Sequence, residues 1–123
     1  MRSVGTDIVE IARIGRSLRR QPAFAEAVFS PEERRYCEAQ ARPDQHYAAR
    51  FAAKEAFLKA VGRGVLDGVP LDEIEVTRSG GRGPALRLGP SAAAALEAAG
   101  GREALVSLSH DGGIALAFVV VCG

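Results

Sequence analysis

The spacing of apolar residues divides the chain into helical and extended segments. Apolar side chains at intervals of three and four are typical of an amphipathic helix, whereas alternation or a short β-branched run is typical of a strand. Helices are predicted over residues 11–20, 23–29, 30–41, 47–62 and 90–99. Strands are predicted over residues 3–11, 73–78, 84–88, 104–109 and 114–121.

The order of these elements predicts an α+β fold, because helices concentrate in the first half and strands in the second. Residues 73–78 and 84–88 flank a turn at 79–83 and are expected to pair as a hairpin. The last two strands, which we expect to be buried, flank a glycine turn at 110–113. We therefore predict a single domain over residues 1–123, with a helix-rich N-terminal half packed on a mainly antiparallel sheet.

Local signals refine these boundaries. Gly5 interrupts the first strand and indicates either a bulge or a close approach of another backbone segment. Ser30, Pro31 and Glu33 are the cap, first position and third position of a predicted helix start. Pro43 is expected to separate that helix from the long helix that follows.

The long helix contains the segment RFAAKEAFLKAVG, which holds the only two lysines of the chain, Lys54 and Lys59. Alanines and Phe57 recur at helical spacing and predict a narrow apolar stripe. Gly62 is predicted to end the helix by adopting a left-handed backbone conformation. Glu55 and Lys59 lie four residues apart and therefore share a face. Taken alone they are more simply explained as a solvated helix pair, and the alternative is that they anchor a metal and an anion.

Composition excludes several classes of protein. With 47% hydrophobic and 25% charged residues, the chain is typical of a soluble globular domain. A formal net charge of +1 argues against a dedicated nucleic-acid-binding protein. The two cysteines indicate reduced thiols in a cytoplasm. We expect neither a signal peptide nor a membrane span, since no long apolar run is present.

Two acidic residues are candidate metal ligands. Asp7 lies near the end of the first strand among apolar residues, where a carboxylate without a partner is costly. Asp7 and Glu55 together offer two hard oxygen ligands, which suits magnesium that keeps waters and takes further ligands from a substrate's phosphates. The sequence therefore predicts a magnesium site formed by Asp7 and Glu55.

Basic residues around the long helix are candidate phosphate ligands. The backbone amides of the glycine loop from Gly62 to Gly64 could also approach a phosphate closely. They are Arg50, Lys54, Lys59 and Arg63. The order of residues in a Walker loop is absent. His110, beside a glycine turn, is either a phosphate ligand or structural, and His46 is interpreted as a surface residue.

A separate basic cluster lies on the first predicted helix. Arg13, Arg16 and Arg20 share one side of it, and Arg19 adds a further charge with no acid among them. This pattern indicates that an acidic partner binds at the first predicted helix.

Three motifs together resemble the small bacterial holo-[acyl carrier protein] synthases, a group of 4'-phosphopantetheinyl transferases. They are VGTDIVEIARI near the start, RFAAKEAFLKAVG in the middle and SLSHDGG near the end. Related enzymes often have tryptophan where this chain has Phe51. The resemblance covers most of the chain and implies the same fold.

The resemblance also implies a reaction: transfer of 4'-phosphopantetheine from coenzyme A to a serine of apo acyl carrier protein, with magnesium. By motif match, Asp7 and Glu55 would bind the metal, and Lys59 would hold phosphate oxygens and protonate the leaving group. The predicted coenzyme A site consists of Arg50, Lys54, Lys59, Gly62 and His110. Either Glu55 or a metal-bound water would accept the serine proton.

The partners implied by the resemblance are coenzyme A and an acidic acyl carrier protein, which would dock on Arg13, Arg16 and Arg20. Similar synthases are homotrimers with active sites between subunits, so we expect the same here. Two alternatives stay open: another magnesium-dependent nucleotide enzyme, and a noncatalytic carrier-protein-binding module. The sequence leaves open which carrier, of fatty acid or polyketide synthesis, is served.

Overall fold

The computed structural model describes residues 1–64, 67–78 and 81–123, so part of the predicted 62–70 loop and part of the 79–83 turn lie outside the described residues. The strands are β1 (Ser3–Glu10), β2 (Ile74–Arg78), β3 (Pro84–Leu88), β4 (Glu103–Asp111) and β5 (Ile114–Cys122). The helices are α1 (Ile11–Arg20), α2 (Phe24–Val28), α3 (Pro31–Glu38), α4 (Pro43–Ala60) and α5 (Pro90–Ala98). A 3-10 turn covers Leu71–Glu73.

The strands form two antiparallel sheets, which confirms the α+β prediction. The larger sheet has the order β1-β5-β4, so the first and last strands of the chain are hydrogen-bonded neighbours. In this register Asp7 lies opposite Ala117, and Ala117 lies opposite Leu108. The predicted hairpin forms the second sheet, with Ile74 opposite Leu88.

Helix α4 is the centre of the fold. It begins at Pro43, four residues before the predicted start, because proline is tolerated in the first turn of a helix, where its missing N–H is not needed. The prediction of a narrow apolar stripe was wrong. Ala48, Ala53 and Leu58 project in three different directions around the helix, and all three are buried, so α4 is enclosed by the sheet and the other helices.

A close approach at Gly5 fixes the position of β1 on α4. A Cβ atom at Gly5 would overlap the Ala56 carbonyl oxygen and would lie 2.7 Å from the Ala60 nitrogen. The Ser3 hydroxyl also donates to the Ala60 carbonyl oxygen at 2.6 Å. The second interpretation of Gly5, a close backbone approach, is therefore confirmed.

The predicted start of α3 is also confirmed, because Ser30 and Glu33 form a capping box. Glu33 is buried and accepts from three other groups: the Ser30 amide, the Val76 amide at 2.9 Å and the Lys54 ammonium at 2.7 Å. One carboxylate therefore connects α3, α4 and β2. The helix ends at Glu38, three residues earlier than predicted.

The prediction that β4 and β5 are buried was wrong for one face. Alternate residues of β5, such as Ala117 and Val119, pack against α4, but Phe118 between them is 44% exposed. Together with neighbours on β1 and β4, it forms an outer apolar face that consists of Val4, Ile8, Leu105, Ile114, Leu116 and Phe118.

The turn between β4 and β5 is shorter than predicted, because His110 and Asp111 belong to β4. Gly112 and Gly113 form the turn, with φ angles of 58° and 82°. Two consecutive positive φ values are what a two-residue type I′ hairpin requires. Among the residues described, no helix is long and apolar enough to cross a membrane.

Candidate active site

The alternation of side chains along β1 brings Asp7 to α4. Gly5, Asp7 and Val9 point to the same side of the strand, and Gly5 is the residue that touches the helix backbone. The Asp7 side chain, 17% exposed, is therefore held beside the C-terminal half of α4.

Lys59 binds the end of β1. Its ammonium lies 3.1 Å from Asp7 Oδ1 and donates at 3.1 Å to the Thr6 carbonyl oxygen. The Lys59 side chain remains 57% exposed, so the ammonium is accessible to a ligand from solvent. Two residues that the sequence singles out separately, Asp7 and Lys59, are therefore in contact.

Glu55 lies next to this pair and has an unsatisfied oxygen. Its Oε2 atom is buried and has no hydrogen-bond partner among the residues that the structure describes. Burial raises the pKa of Glu55, the charge of Asp7 raises it further, and the charges of Lys59 and Arg13 oppose the rise. Glu55, whose ionisation is disfavoured by burial and by Asp7, has a free buried oxygen, and the two carboxylates are arranged as a cation-binding pair.

The donor set fits magnesium better than a metal that needs a protein cage. Within the described ranges no group of three or more His, Cys, Asp or Glu side chains is placed to hold a metal. A two-carboxylate site leaves coordination positions for waters and for phosphate oxygens, which is how magnesium is commonly bound. Asp7 and Glu55 would hold the ion, and Lys59 would neutralise a neighbouring phosphate.

The prediction that Lys54 contacts coenzyme A is corrected by the structure. Its side chain is 0% exposed and pairs with Glu33 at 2.7 Å. It also donates to the carbonyl oxygens of Leu71 at 3.1 Å and Ile74 at 2.7 Å. The three N–H donors of the ammonium are thus used inside the protein, and none is left for a phosphate.

Arg50 and His110, predicted for the coenzyme site, line a common cavity of about 320 Å³. Arg50 is buried, and its guanidinium stacks on the Tyr36 ring at 4.3 Å from the centroid. Sequence reasoning missed two further lining residues, His46 and Arg78. No local pattern could reveal them, because the cavity is lined by α4, β2 and β4, which are far apart in sequence.

Gly62 follows the end of α4 with φ of 73°, as the predicted left-handed stop requires. Apart from its chain neighbours, no atom of the described residues lies within 4 Å of a Cβ built at Gly62. The Gly64 amide donates to the Asp67 carboxylate at 2.6 Å. The first residues of the glycine loop thus leave α4 one turn after Lys59.

The basic cluster of α1 lies on the surface. Arg13, Arg16 and Arg20 are exposed, whereas Arg19 pairs with Asp44 at 3.1 Å. Arg13 is close enough to Glu55 to lower its pKa. The predicted docking residues therefore begin beside the carboxylate pair and extend away from it along α1.

Comparison with known proteins gives a consistent result over nearly the whole chain. A family model described as the 4'-phosphopantetheinyl transferase superfamily matches residues 3–119. A holo-[acyl-carrier-protein] synthase of Anaeromyxobacter dehalogenans is 45% identical over 124 residues, covering 98% of this chain and 94% of the relative. One of Geobacter sp. (strain M21) is 43% identical, covering 95% of this chain and 94% of the relative.

Solved structures agree with these sequence matches. The crystal structure of holo-[acyl-carrier-protein] synthase from Neisseria meningitidis superposes with a TM-score of 0.87 at 36% identity and covers 98% of both chains. The Helicobacter pylori synthase, solved in complex with coenzyme A, gives a TM-score of 0.82 at 32% identity, covering 96% of this chain and 98% of that one.

Proposed function

The chain belongs to the 4'-phosphopantetheinyl transferase superfamily, and we propose that Asp7, Glu55 and Lys59 perform its reaction with the help of magnesium. The enzyme transfers 4'-phosphopantetheine from coenzyme A to a serine of apo acyl carrier protein. The products are holo acyl carrier protein and adenosine 3',5'-bisphosphate. The observation that carries the site assignment is the buried, unpartnered oxygen of Glu55 beside Asp7 and Lys59.

The chemistry is a displacement at phosphorus. The serine oxygen forms a bond to the phosphorus that carries pantetheine, and the bond to the bridging oxygen of the diphosphate breaks. Bound magnesium would neutralise charge on the diphosphate. Lys59 is positioned to bind the phosphate oxygens and to give a proton to the leaving phosphate.

Glu55 is placed to accept the serine proton, because its Oε2 atom has no hydrogen-bond partner among the described residues; a water held by the metal would be the alternative acceptor. Asp7, already paired with Lys59, keeps the ammonium oriented towards the diphosphate.

Intact mass spectrometry tests the reaction. The purified protein should add one phosphopantetheine group to an apo acyl carrier protein when coenzyme A and magnesium are present, and a chelator should abolish the addition. Turnover of coenzyme A without any carrier protein would instead favour a nucleotide enzyme. Binding of carrier protein without a gain of mass would favour a noncatalytic module; the comparisons favour neither alternative.

We expect Arg13→Glu to raise the KM for acyl carrier protein about tenfold, with the KM for coenzyme A changing less. Arg13 is exposed, lies near Glu55 and belongs to a face that is complementary to an acidic partner. Arg82→Glu, on the β2–β3 hairpin, makes the same change of net charge and is the matched control. Equal increases of both KM values for Arg13→Glu would contradict the docking role.

The outer apolar face supports assembly into a homotrimer. Ile8 is 64% exposed and Leu105 is 51% exposed, on a face that also includes Phe118. A contiguous apolar face of this kind marks a protein interface. We propose that copies of this chain cover it, which would place active sites near the subunit boundaries.

Phe118→Glu should therefore convert the trimer into monomers and lower activity at the same protein concentration. A buried charge at an interface is strongly unfavourable, whereas the same residue in a monomer is solvated. Sedimentation velocity measures the change, and Ala94→Glu on the exposed side of α5 is the control. A Phe118→Glu protein that sediments like the wild type would contradict assembly through this face.

The proposal includes a cytoplasmic location, in keeping with Cys37 and Cys122, which are both free in the structure.

A further inference from the structure

An ion pair connects α1 to the first turn of α4. Arg19 Nη1 donates to Asp44 Oδ2 at 3.1 Å, and Asp44 is the second residue of α4. The two residues are 25 positions apart in the chain, so their contact depends on how the helices pack. The helix dipole favours an acid in the first turn of α4, but it does not explain why this acid contacts α1.

Gly15 gives the Asp44 carboxylate its place on α1. Gly15 is buried, and a Cβ atom built there would overlap Asp44 Oδ2 and would lie 2.9 Å from Arg19 Nη2. Both charged groups of the pair therefore lie over the glycine, in space that any other side chain would need. The pair is thus part of the α1–α4 packing, unlike the exposed pair of Arg35 with Glu32, which lies within one helix.

Arg19 borders the docking face of α1, which consists of Arg13, Arg16 and Arg20. Residues three apart are neighbours on a helix surface, so Arg19 lies next to Arg16. Its side chain is 66% exposed although it is paired. The pair also lies at a cleft of about 870 Å³ between α1, the start of α4 and the β4–β5 turn, so Arg19 has room to leave Asp44.

We propose that Asp44 is a positioning residue that holds Arg19 away from the docking face and thereby limits the affinity for the acidic carrier protein. This inference rests on the proposed function, in which the docking face binds the carrier. Paired with Asp44, the Arg19 guanidinium adds little net charge to the field that attracts an acidic partner. Released from Asp44, it adds a fourth arginine beside Arg16.

A limited affinity suits the reaction. The holo carrier has one more negative charge than the apo carrier, because a neutral serine hydroxyl becomes a phosphodiester. A strongly basic face would therefore hold the product more tightly than the substrate. Keeping Arg19 paired weakens this attraction and favours release of the product.

Asp44→Asn should lower the KM for acyl carrier protein about two- to fivefold at low ionic strength, with the KM for coenzyme A unchanged. The gain should shrink as salt is added, because it comes from exposed charges. Steady-state kinetics at two salt concentrations measures both effects. A merely structural role of Asp44 in α4 would change the melting temperature without this salt-dependent split between the two KM values.

A double-mutant cycle tests whether Asp44 holds Arg19 or only adds a negative charge nearby. Arg19→Gln should raise the KM for carrier protein more in the Asp44→Asn background than in the wild type, because only there is Arg19 free to contact the carrier. The double variant should return to the wild-type KM. Glu97→Gln, which neutralises an exposed acid on α5, is the matched control and should change neither KM.

Gly15→Ala breaks the pair without changing the net charge. Its methyl group takes the place of the Asp44 carboxylate, so Arg19 is released while both charges remain. The KM for carrier protein should fall, by less than it does in Asp44→Asn. The double-mutant cycle decides the matter even if Gly15→Ala does not fold.

Three outcomes are distinguishable. If Asp44→Asn keeps the wild-type KM for carrier protein while Arg13→Glu raises it, the inference is overturned and the docking role of α1 stands. If Arg19→Gln has equal effects in both backgrounds, Asp44 acts only through its charge, and the inference is again overturned. If Arg13→Glu also leaves this KM unchanged, the proposed docking role itself is overturned.

Discussion

Glu55→Gln should lower kcat by about 10²- to 10³-fold and leave the fold intact. The glutamine amide keeps the shape of the side chain but cannot bind magnesium as a carboxylate does, nor accept the serine proton. Losses of this size are usual when one preorganised charged group is removed from a transition state. Asp7→Asn should have a comparable effect, since Asp7 is the second carboxylate of the pair.

Stability in the absence of metal gives a second measure of the Glu55 assignment. Because its pKa is raised in the folded protein, ionised Glu55 destabilises the fold, and this cost develops as pH rises through the ordinary range of a carboxyl. At neutral pH without magnesium, Glu55→Gln should therefore melt at the same or a higher temperature than the wild type. Magnesium should raise the melting temperature of the wild type and have little effect on the variant.

Glu10→Gln is the matched control for these measurements, because it makes the same change at an exposed carboxylate on β1. Its activity and its response to magnesium should equal those of the wild type. If Glu55→Gln and Asp7→Asn retained full activity with magnesium present, the two carboxylates would not be metal ligands.

Lys54→Met should lower the free energy of unfolding by about 3–5 kcal/mol. The substitution leaves Glu33 buried without its positive partner and leaves the Ile74 and Leu71 carbonyl oxygens without a donor. Burial lowers the pKa of Lys54, and Glu33 opposes that effect, so the ammonium depends on this carboxylate to remain charged. Chemical denaturation with a spectroscopic readout measures the loss.

Lys59→Met provides the contrasting control five residues along the same helix. Lys59 is more than half exposed, and a surface ion pair of this kind contributes only about 0–1 kcal/mol. Lys59→Met should therefore fold as the wild type does and lose most of its activity. Lys54→Met should be less stable, yet the folded fraction should keep its KM for coenzyme A.

The double variant Glu33→Gln/Lys54→Met tests the coupling directly. If the cost of Lys54→Met comes from the unpaired charge of Glu33, neutralising that charge should recover part of the stability. A stable Lys54→Met protein with a higher KM for coenzyme A would restore the coenzyme role that the structure argues against.

Local sequence patterns predicted most of the secondary structure. The capping box at Ser30, the glycine stop at Gly62 and the β2–β3 hairpin are determined by short-range backbone and side-chain preferences, and all three are present. The predicted resemblance to holo-[acyl-carrier-protein] synthases is confirmed by the comparisons. The roles of the individual site residues remain proposals.

The wrong predictions of how α4 and β5 are buried share one physical cause. Periodicity describes which residues lie on the same side of a helix or strand, but it does not tell what packs against each side. Helix α4 was expected to bury one stripe, whereas other elements surround it and take in Lys54 as well. Strand β5 was expected to be buried, whereas its outer face, including Phe118, is exposed in the single chain.

The sequence by itself therefore determined the elements, their order and the spacing that brings Glu55 and Lys59 to one helix face. Only the tertiary structure decided which of the two lysines is accessible, because the partner of Lys54 is Glu33, which lies 21 residues earlier. It also decided that His46, interpreted as a surface residue, shares a cavity with Arg50, Arg78 and His110. Such long-range contacts depend on how α3, α4 and the two sheets pack, and packing on this scale leaves no local pattern in the chain.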